Sequence, residues 1–234
     1  MSSDPKNNGF WQKNLDQVRQ YYSERLQNAV EAKDPTILAQ RHTDDAKKFF
    51  ECLLDGIDLT GPLSILDIGC GTGNLLEHLN NRTNVGKIER YVGIDLLPEF
   101  IDQANMRFDD DGLKFVCGNF LELPLESFEK CPLVLACGVL VHHVQDYENY
   151  LTIFIRRMME VSKGIVAFNL ITAVDTDSLN YDSTNIIGRP RVLNKTILDD
   201  LLGSLENCSI RCCDHRIFPD AVDTFVQITL GKQG

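Results

Sequence analysis

Short apolar runs alternate with longer amphipathic stretches from about residue 63 to the end of the chain. Strands are predicted at 64–69, 90–95, 113–118, 133–138, 164–171, 209–217 and 225–230, and helices near 73–80, 98–107, 146–162 and 195–205. Strands joined through helices need crossover connections, which make the strands parallel and cover both faces of the sheet. The predicted fold class is therefore α/β, with a doubly wound, mainly parallel seven-stranded sheet.

The residues before this pattern have a helical periodicity of their own. One apolar stripe consists of Trp11, Leu15, Val18, Tyr22 and Leu26, and a second helix is predicted from about Asp44 to Leu54. We interpret residues 1–55 as a tail and helical cap, and 56–234 as the α/β domain, in one compact unit. A long stretch without periodicity, 172–194, is predicted to be a loop, and loops of that length are usually functional or disordered.

Net charge, hydropathy and cysteine spacing argue against several kinds of partner and site. The net charge of −11 opposes an acidic phosphate backbone, so a nucleic-acid partner is not expected. No apolar run reaches the roughly 20 residues of a membrane span, and no leader pattern stands at the start, so a cytoplasmic location without membrane contact is expected. The eight cysteines are scattered without a C-x-x-C pair, which predicts reduced, mostly buried thiols and no metal site.

A run of alternate glycines follows the first predicted strand in the pattern Asp67-x-Gly69-x-Gly71-x-Gly73. Ligands of doubly wound sheets bind outside the carboxyl ends of the strands, and glycine lets them approach the backbone closely. The dinucleotide pattern G-x-G-x-x-G fails, because Asn74 or Leu76 stands at its third glycine position. A P-loop fails as well, since no Gly-Lys-Ser/Thr follows.

The glycine pattern resembles the first motif of class I S-adenosylmethionine-dependent methyltransferases, E/D-x-G-x-G-x-G. Asp95 closes the second strand, and Gly118-Asn119-Phe120 follows the third, where the family usually has Gly-Asp-aromatic or Gly-Asp-Ala. The segment VLVHHVQD after the fourth strand is similar to the family's V-L-x-H-x-x-D, with His143 and Asp146 in register. The resemblance covers about residues 64–171 and, beyond that, only the order of elements.

The resemblance implies S-adenosylmethionine as cofactor and S-adenosylhomocysteine as product. The implied cofactor-binding residues are Asp67, Gly69, Cys70, Gly71, Gly73, Asp95, Leu96, Asn119, Phe120, Cys137, Gly138 and Val139. Arg41 could contact the cofactor carboxylate by two hydrogen bonds, and an exposed surface arginine is its alternative. Asp67 would lie near the methionine amino group, Asp95 would accept the ribose hydroxyls, and Asn119 would contact the adenine edge. Two alternatives stay open: Gly73 only permits close packing, and Asp95 only caps a helix. As a pocket acid, Asp95 is expected to be replaceable without loss of the fold.

Methyl transfer from a sulfonium mainly requires alignment, which explains why the family has no universal catalytic residue. If the acceptor is a hydroxyl, His142 and His143 are the candidate bases, and a structural role is their alternative. Three side chains of the N-terminal layer could reach the site if that layer closes over it: Tyr21, Tyr22 and His42. Arg189 and Arg191 could bind an anionic acceptor.

The predicted function is methyl transfer by in-line displacement to an O or N atom of a small-molecule acceptor, by a monomer or homodimer. The chain lacks the Asn/Asp-Pro-Pro-Tyr/Phe motif of amide and base methyltransferases and the Pro-Cys dipeptide of cytosine enzymes. One alternative is methylation of RNA or protein, which a basic strip of Arg156, Arg157, Arg189 and Arg191 would favour. The other is a protein that binds the cofactor without transferring its methyl group.

Overall fold

The computed structural model of the chain describes residues 11–32, 43–124, 128–175 and 190–231. The strands are β1 (Leu63–Ile68), β2 (Ile88–Asp95), β3 (Leu113–Cys117), β4 (Cys131–Ala136), β5 (Ser162–Val174), β6 (Cys208–His215) and β7 (Ala221–Leu230). The helices in the same ranges are α1 (Gln12–Ala32), α2 (Thr43–Leu54), α3 (Asn74–Asn80), α4 (Pro98–Arg107), α5 (Tyr147–Glu160) and α6 (Lys195–Gly203). Every strand and helix predicted from periodicity is present.

The seven strands form one sheet in the order β3-β2-β1-β4-β5-β7-β6. The pairs from β3 through β5 are parallel, whereas β7 is antiparallel to both of its neighbours, β5 and β6. Chain order reverses between β1 and β4, and the carboxyl ends of these two strands diverge into a crevice there. The predicted doubly wound, mainly parallel α/β fold is confirmed.

Each face of the sheet carries its own apolar core. One core combines the sheet with α1, α5 and α6, and includes Leu15 and Leu151. The other combines it with α2, α3 and α4, and includes Phe49 and Leu76. Phe49 is fully buried, so the apolar side of α2 is part of the layer that covers the sheet. Helix α1, with Leu15 and Val18, extends from the first core over the crevice.

Regular structure extends into both ends of the predicted loop 172–194. Strand β5 continues to Val174, because the long antiparallel strand β7 extends the ladder and pairs Val174 with Ala221. At the other end, the Arg191 N–H donates to the Val141 carbonyl at 2.7 Å, and Pro190 forms an isolated bridge with His142. The segment between them, 176–189, lies outside the described residues.

The cysteines differ from the expectation in their exposure. All eight are free thiols, but only Cys70 and Cys131 are buried, and Cys117 and Cys212 are exposed. The prediction that they are mostly buried is wrong, because several lie where strands leave the sheet or on the edge strand β6. Among the described residues, no helix is long and apolar enough to cross a membrane, and no three His, Cys, Asp or Glu side chains are grouped as a metal site.

Candidate functional site

A cleft of about 530 Å³ opens at the carboxyl ends of β1, β2 and β4, in the crevice where strand order reverses. Its lining includes most of the residues that the sequence predicted to bind a cofactor. These are Asp67, Gly69, Cys70, Gly71, Asp95, Leu96, Asn119, Phe120, Cys137, Gly138 and Val139. Residues far apart in the sequence thus meet because parallel strands deliver their following turns to one edge of the sheet.

The glycines of the turn after β1 have different surroundings. Gly71 has a φ of +54°, and a Cβ built on it would meet no atom within 4 Å, so it borders open space in the cleft. Gly73 has a φ of +84°, but a Cβ there would lie 2.5 Å from the Phe108 ring. Gly73 does not line the cleft, which corrects its assignment as a cofactor residue: its missing side chain makes room for Phe108.

Asp95 holds this turn from the neighbouring strand. One carboxylate oxygen accepts the Gly71 N–H at 2.9 Å, and the other accepts the Leu97 N–H at 3.0 Å. Burial raises the pKa of the Asp95 carboxyl, while these N–H groups oppose the rise. Each oxygen keeps a second lone pair, so the carboxylate can also accept hydroxyls from a ligand in the cleft.

Asp67 is a buried acid at the base of the same turn, with 2% of its surface exposed. The Tyr91 hydroxyl, from the middle of β2, donates to it. Burial raises the pKa of Asp67 to about 7, the nearby Asp95 adds to the rise, and the Tyr91 hydrogen bond opposes it. A cation brought into the cleft beside Asp67 would favour its ionised form.

The turn after β3 forms a further wall of the cleft. The Asn119 side chain accepts the Leu121 N–H at 3.0 Å, which leaves its amide N–H groups available as donors. Phe120 is buried, and the Arg157 guanidinium lies over its ring, 5.4 Å from the centroid. Arg157 also donates to the carbonyls of Phe120 and Leu123, so it braces this wall from α5.

The turn after β4 is held from β5. Gly138 has a φ of +74°, and its N–H donates to the Asn169 side-chain oxygen at 2.7 Å. The Asn169 amide nitrogen donates in turn to Asp223 on β7 at 2.9 Å. Sequence reasoning missed Asn169 and Asp223, although an asparagine within the apolar run GIVAFNLI was a visible anomaly.

Helix α1 covers one side of the cleft and is fixed to the loop that follows β4. The Trp11 indole N–H donates to the Gln145 carbonyl at 2.7 Å, and the Asn14 side chain accepts the Gln145 N–H at 2.9 Å. Trp11 and Asn14 are each 3% exposed. This attachment places three α1 side chains on the cleft, Leu15, Val18 and Tyr22.

Tyr22 and His142 meet at the cleft wall. The Tyr22 hydroxyl lies 2.7 Å from His142 Nε2, and His142 Nδ1 lies 3.2 Å from the Val139 carbonyl oxygen. A carbonyl only accepts, so Nδ1 carries the proton and Nε2 is the basic nitrogen that accepts the Tyr22 hydroxyl. His142 is 8% exposed and lines the cleft, so it is placed as a base would need to be.

The structure does not bring every predicted residue to the cleft. His143 lines a separate cavity of about 410 Å³ together with Arg191, and burial and that guanidinium lower the His143 pKa. The expectation for the two histidines is therefore corrected, since the chain turns them to opposite sides. Arg41, His42 and Arg189 lie outside the described residues. Between α2 and α3 the cleft has a polar extension that the sequence did not predict, lined by Lys47, Phe50, Glu77 and His78.

The central part of the chain matches a known protein family. A family model described as a methyltransferase domain matches residues 65–163, which span β1 to the start of β5. The chain is 37% identical over 92 residues to malonyl-[acyl-carrier protein] O-methyltransferase from Acetivibrio thermocellus, covering 38% of this chain and 31% of that protein. The aligned segments span 24–36% of the lengths of the curated relatives.

Solved structures share the architecture across most of the chain. An S-adenosylmethionine-dependent methyltransferase from Clostridium acetobutylicum superposes with a TM-score of 0.59 at 17% identity, covering 88% of this chain and 99% of that one. Magnesium protoporphyrin IX methyltransferase from Synechocystis PCC 6803, with bound S-adenosylhomocysteine, gives 0.55 at 15% identity, covering 81% and 84%. At these identities the likeness is one of fold.

Proposed function

We propose that the chain is a class I S-adenosylmethionine-dependent methyltransferase and that it methylates an oxygen or nitrogen atom of a small-molecule acceptor, since a methyltransferase-domain model matches residues 65–163. One observation carries the proposal: Gly71 borders open space in a cleft that also contains the Asp95 carboxylate and the Tyr22–His142 pair. The turn at Gly71 has room for a ligand, and the Asp95 carboxylate lies beside it. His142, the candidate base, lines the same cleft, where it could serve an acceptor.

The residues present fit the cofactor of this family, S-adenosylmethionine. The Asp95 carboxylate has lone pairs for ribose hydroxyls, and the Asn119 amide has donors for an adenine ring nitrogen. Asp67 would face the cationic amino group, and the bare Gly71 backbone would border the ligand. The cofactor supplies a methyl group on a sulfonium, whose sulfur leaves without help from an acid.

For a hydroxyl acceptor, the acceptor would give its proton to the Tyr22 oxygen while Tyr22 gives its own hydroxyl proton to His142 Nε2, as the oxygen–methyl bond forms and the carbon–sulfur bond breaks. The resulting imidazolium would keep its Nδ1–H on the Val139 carbonyl, so the ring need not turn. Tyr22 would orient the acceptor oxygen or the ring by its hydroxyl. Apolar side chains surround this pair, including Val18, Phe100 and Val141, and favour an acceptor with an apolar body.

A macromolecular acceptor is less well supported. Of the four arginines that would form a basic strip, Arg157 is occupied with the Phe120 and Leu123 carbonyls, and Arg191 lines the separate cavity with His143. The net charge of −11 also opposes an RNA.

The test is incubation of the purified chain with methyl-labelled cofactor and a metabolite extract, followed by separation of products by size. We expect label in small molecules, and none with Gly71→Val, in which a branched side chain fills the cleft. Label in protein or RNA fractions would favour the macromolecular alternative. Absence of label, with S-adenosylhomocysteine still bound, would favour a protein that binds without transferring.

A further inference from the structure

Two buried polar side chains, Asn169 and Asp223, connect the cleft to strand β7. Neither belongs to a sequence motif of the proposed site. Asn169 is fully buried in the middle of β5, and Asp223 on β7 is 1% exposed. The neighbours of Asn169 along β5 are apolar, and an amide buried among them costs free energy unless its hydrogen bonds are made. An apolar residue would pack in the same place, so the amide itself requires an explanation.

The explanation lies where β4 leaves the sheet. Strand β4 and its pairing with β5 end at Ala136, so the N–H of Gly138, which has a left-handed backbone, lies beyond the ladder. Asn169 replaces the missing ladder acceptor, because its side-chain oxygen takes that N–H at 2.7 Å. An N–H can only donate, so the oxygen of the amide must face Gly138 and the nitrogen must face Asp223. Asp223 therefore fixes which way the Asn169 amide points.

The turn held in this way contacts both halves of the proposed site. Val139 follows Gly138 directly, and its side chain occupies the space beside Gly69, where an added Cβ would lie 2.2 Å from Val139 Cγ2. The Val139 carbonyl also accepts the His142 Nδ1–H, which sets the tautomer of the ring. A shift at Gly138 would thus move the cofactor wall and the partner of the base together.

We propose that Asn169, oriented by Asp223, is a positioning residue that holds the Gly138–Val139 turn for cofactor binding and for the His142 tautomer. The inference rests on the proposed function. It parallels the other wall of the cleft, where Asp95 from the neighbouring strand β2 holds the Gly71 N–H. The turn after β1 is thus held by Asp95 from β2, and the turn after β4 is held by Asn169 from β5.

The experiment measures S-adenosylhomocysteine affinity by calorimetry, together with thermal unfolding, and needs no acceptor. Asn169→Leu keeps the volume but leaves the Gly138 N–H without its acceptor, and we expect the affinity to fall about tenfold or more. Asp223→Leu should weaken binding as well, and Asp223→Asn should restore it, because an asparagine oxygen can still accept from the Asn169 amide. If Asn169→Leu does not fold, Asn169→Ser replaces it.

Gln227→Leu is the matched control. Gln227 is a buried amide on the same strand as Asp223, but it donates to the Leu53 and Asp55 carbonyls at the end of α2, away from the cleft. We expect it to lower the melting temperature comparably and to leave the affinity within about twofold of wild type. An equal loss of affinity in Gln227→Leu, or unchanged binding in Asn169→Leu, would overturn the proposal.

A spectroscopic measurement separates positioning from simple destabilisation. The ¹⁵N shifts of His142 should report a proton on Nδ1 in the wild-type chain and in Gln227→Leu, and a mixture of tautomers in Asn169→Leu. A pure Nδ1–H tautomer in Asn169→Leu would contradict the link through Val139. Failure of the wild-type chain to bind S-adenosylhomocysteine would refute the proposed function itself, before any variant is compared.

Discussion

The Asp95 carboxylate at the end of β2 accepts the Gly71 N–H of the turn after β1 at 2.9 Å. The acid that the sequence predicted to bind a ligand is therefore also part of the fold. Its second oxygen holds the Leu97 N–H, where α4 begins. This arrangement revises the sequence-based expectation that Asp95 can be removed without affecting the fold.

Asp95→Ala is predicted to weaken S-adenosylhomocysteine binding at least about tenfold and to lower stability by about 1–3 kcal/mol, because two backbone N–H groups lose their acceptor. Calorimetry and thermal unfolding measure the two effects. Asp95→Asn is the intermediate case, since its single oxygen can accept one of the two N–H groups. Unchanged melting of Asp95→Ala would show that water replaces the carboxylate at no cost.

Gly71→Ala and Gly73→Ala form a matched pair, because both positions have a positive φ, +54° and +84°. The backbone strain of an alanine is similar in both, about 1–2 kcal/mol. Gly71→Ala should lose cofactor affinity, since its Cβ projects into open cleft space. Gly73→Ala should mainly lose stability, since its Cβ collides with Phe108. Equal affinities of the two variants would disprove this division of roles.

The pH dependence of cofactor binding should follow Asp67. Its pKa of about 7 means that S-adenosylhomocysteine, with its cationic amino group, should bind about tenfold more tightly at pH 8 than at pH 6. Asp67→Asn should abolish this dependence while keeping an acceptor for the Tyr91 hydroxyl. An identical pH profile in both proteins would assign the titration to another group, such as Asp95.

The stability of the ligand-free protein should decrease as the pH rises, whereas its affinity for the cofactor should increase. The pKa of Asp67 rises from 3.8 in its ordinary state to about 7 in the fold, so the folded state binds more protons between these values. Its contribution to stability therefore decreases as the pH rises through this window and is fully lost above about 7. Unfolding midpoints of the wild type minus those of Asp67→Asn isolate this contribution.

Trp11 is the only tryptophan of the chain, so its fluorescence reports on the attachment of α1. In the fold its indole is buried against Tyr150, with ring centroids 5.7 Å apart. Asn14→Leu removes the acceptor of the Gln145 N–H and should shift Trp11 emission to longer wavelength as α1 detaches. Gln20→Ala, on the exposed face of α1, should leave the spectrum unchanged. No shift in Asn14→Leu would show that apolar packing alone holds α1.

Tyr22→Phe tests the contact with His142. Once labelled products identify an acceptor, we expect kcat to fall about tenfold in Tyr22→Phe and about a hundredfold or more in His142→Gln, with S-adenosylhomocysteine affinity preserved. Tyr21→Phe is the control, because the Tyr21 hydroxyl accepts from Arg25 on the same helix. A full rate in His142→Gln would mean that the acceptor needs no base and favour an amine.

Local patterns in the sequence predicted much of this structure. Apolar periodicity located the strands and helices, because a buried strand and a one-sided helix each leave a regular spacing of apolar residues. The glycine spacing and the acid at the end of β2 predicted the cleft, since ligands of doubly wound sheets bind where strands end. Resemblance to a family supplied the proposed roles of Asp67, Asp95 and Asn119.

Long-range contacts were decided only by the tertiary structure. The sequence could not separate His142 from His143, because adjacent residues differ in direction only once the backbone is placed. It could not assign Gly73 to packing against Phe108, since the two meet only through the packing of α4. Asn169 and Asp223 were missed because their hydrogen bonds join strands far apart in the chain. Spacing encodes which face of an element is buried, whereas the partner that a buried polar group finds depends on the whole fold.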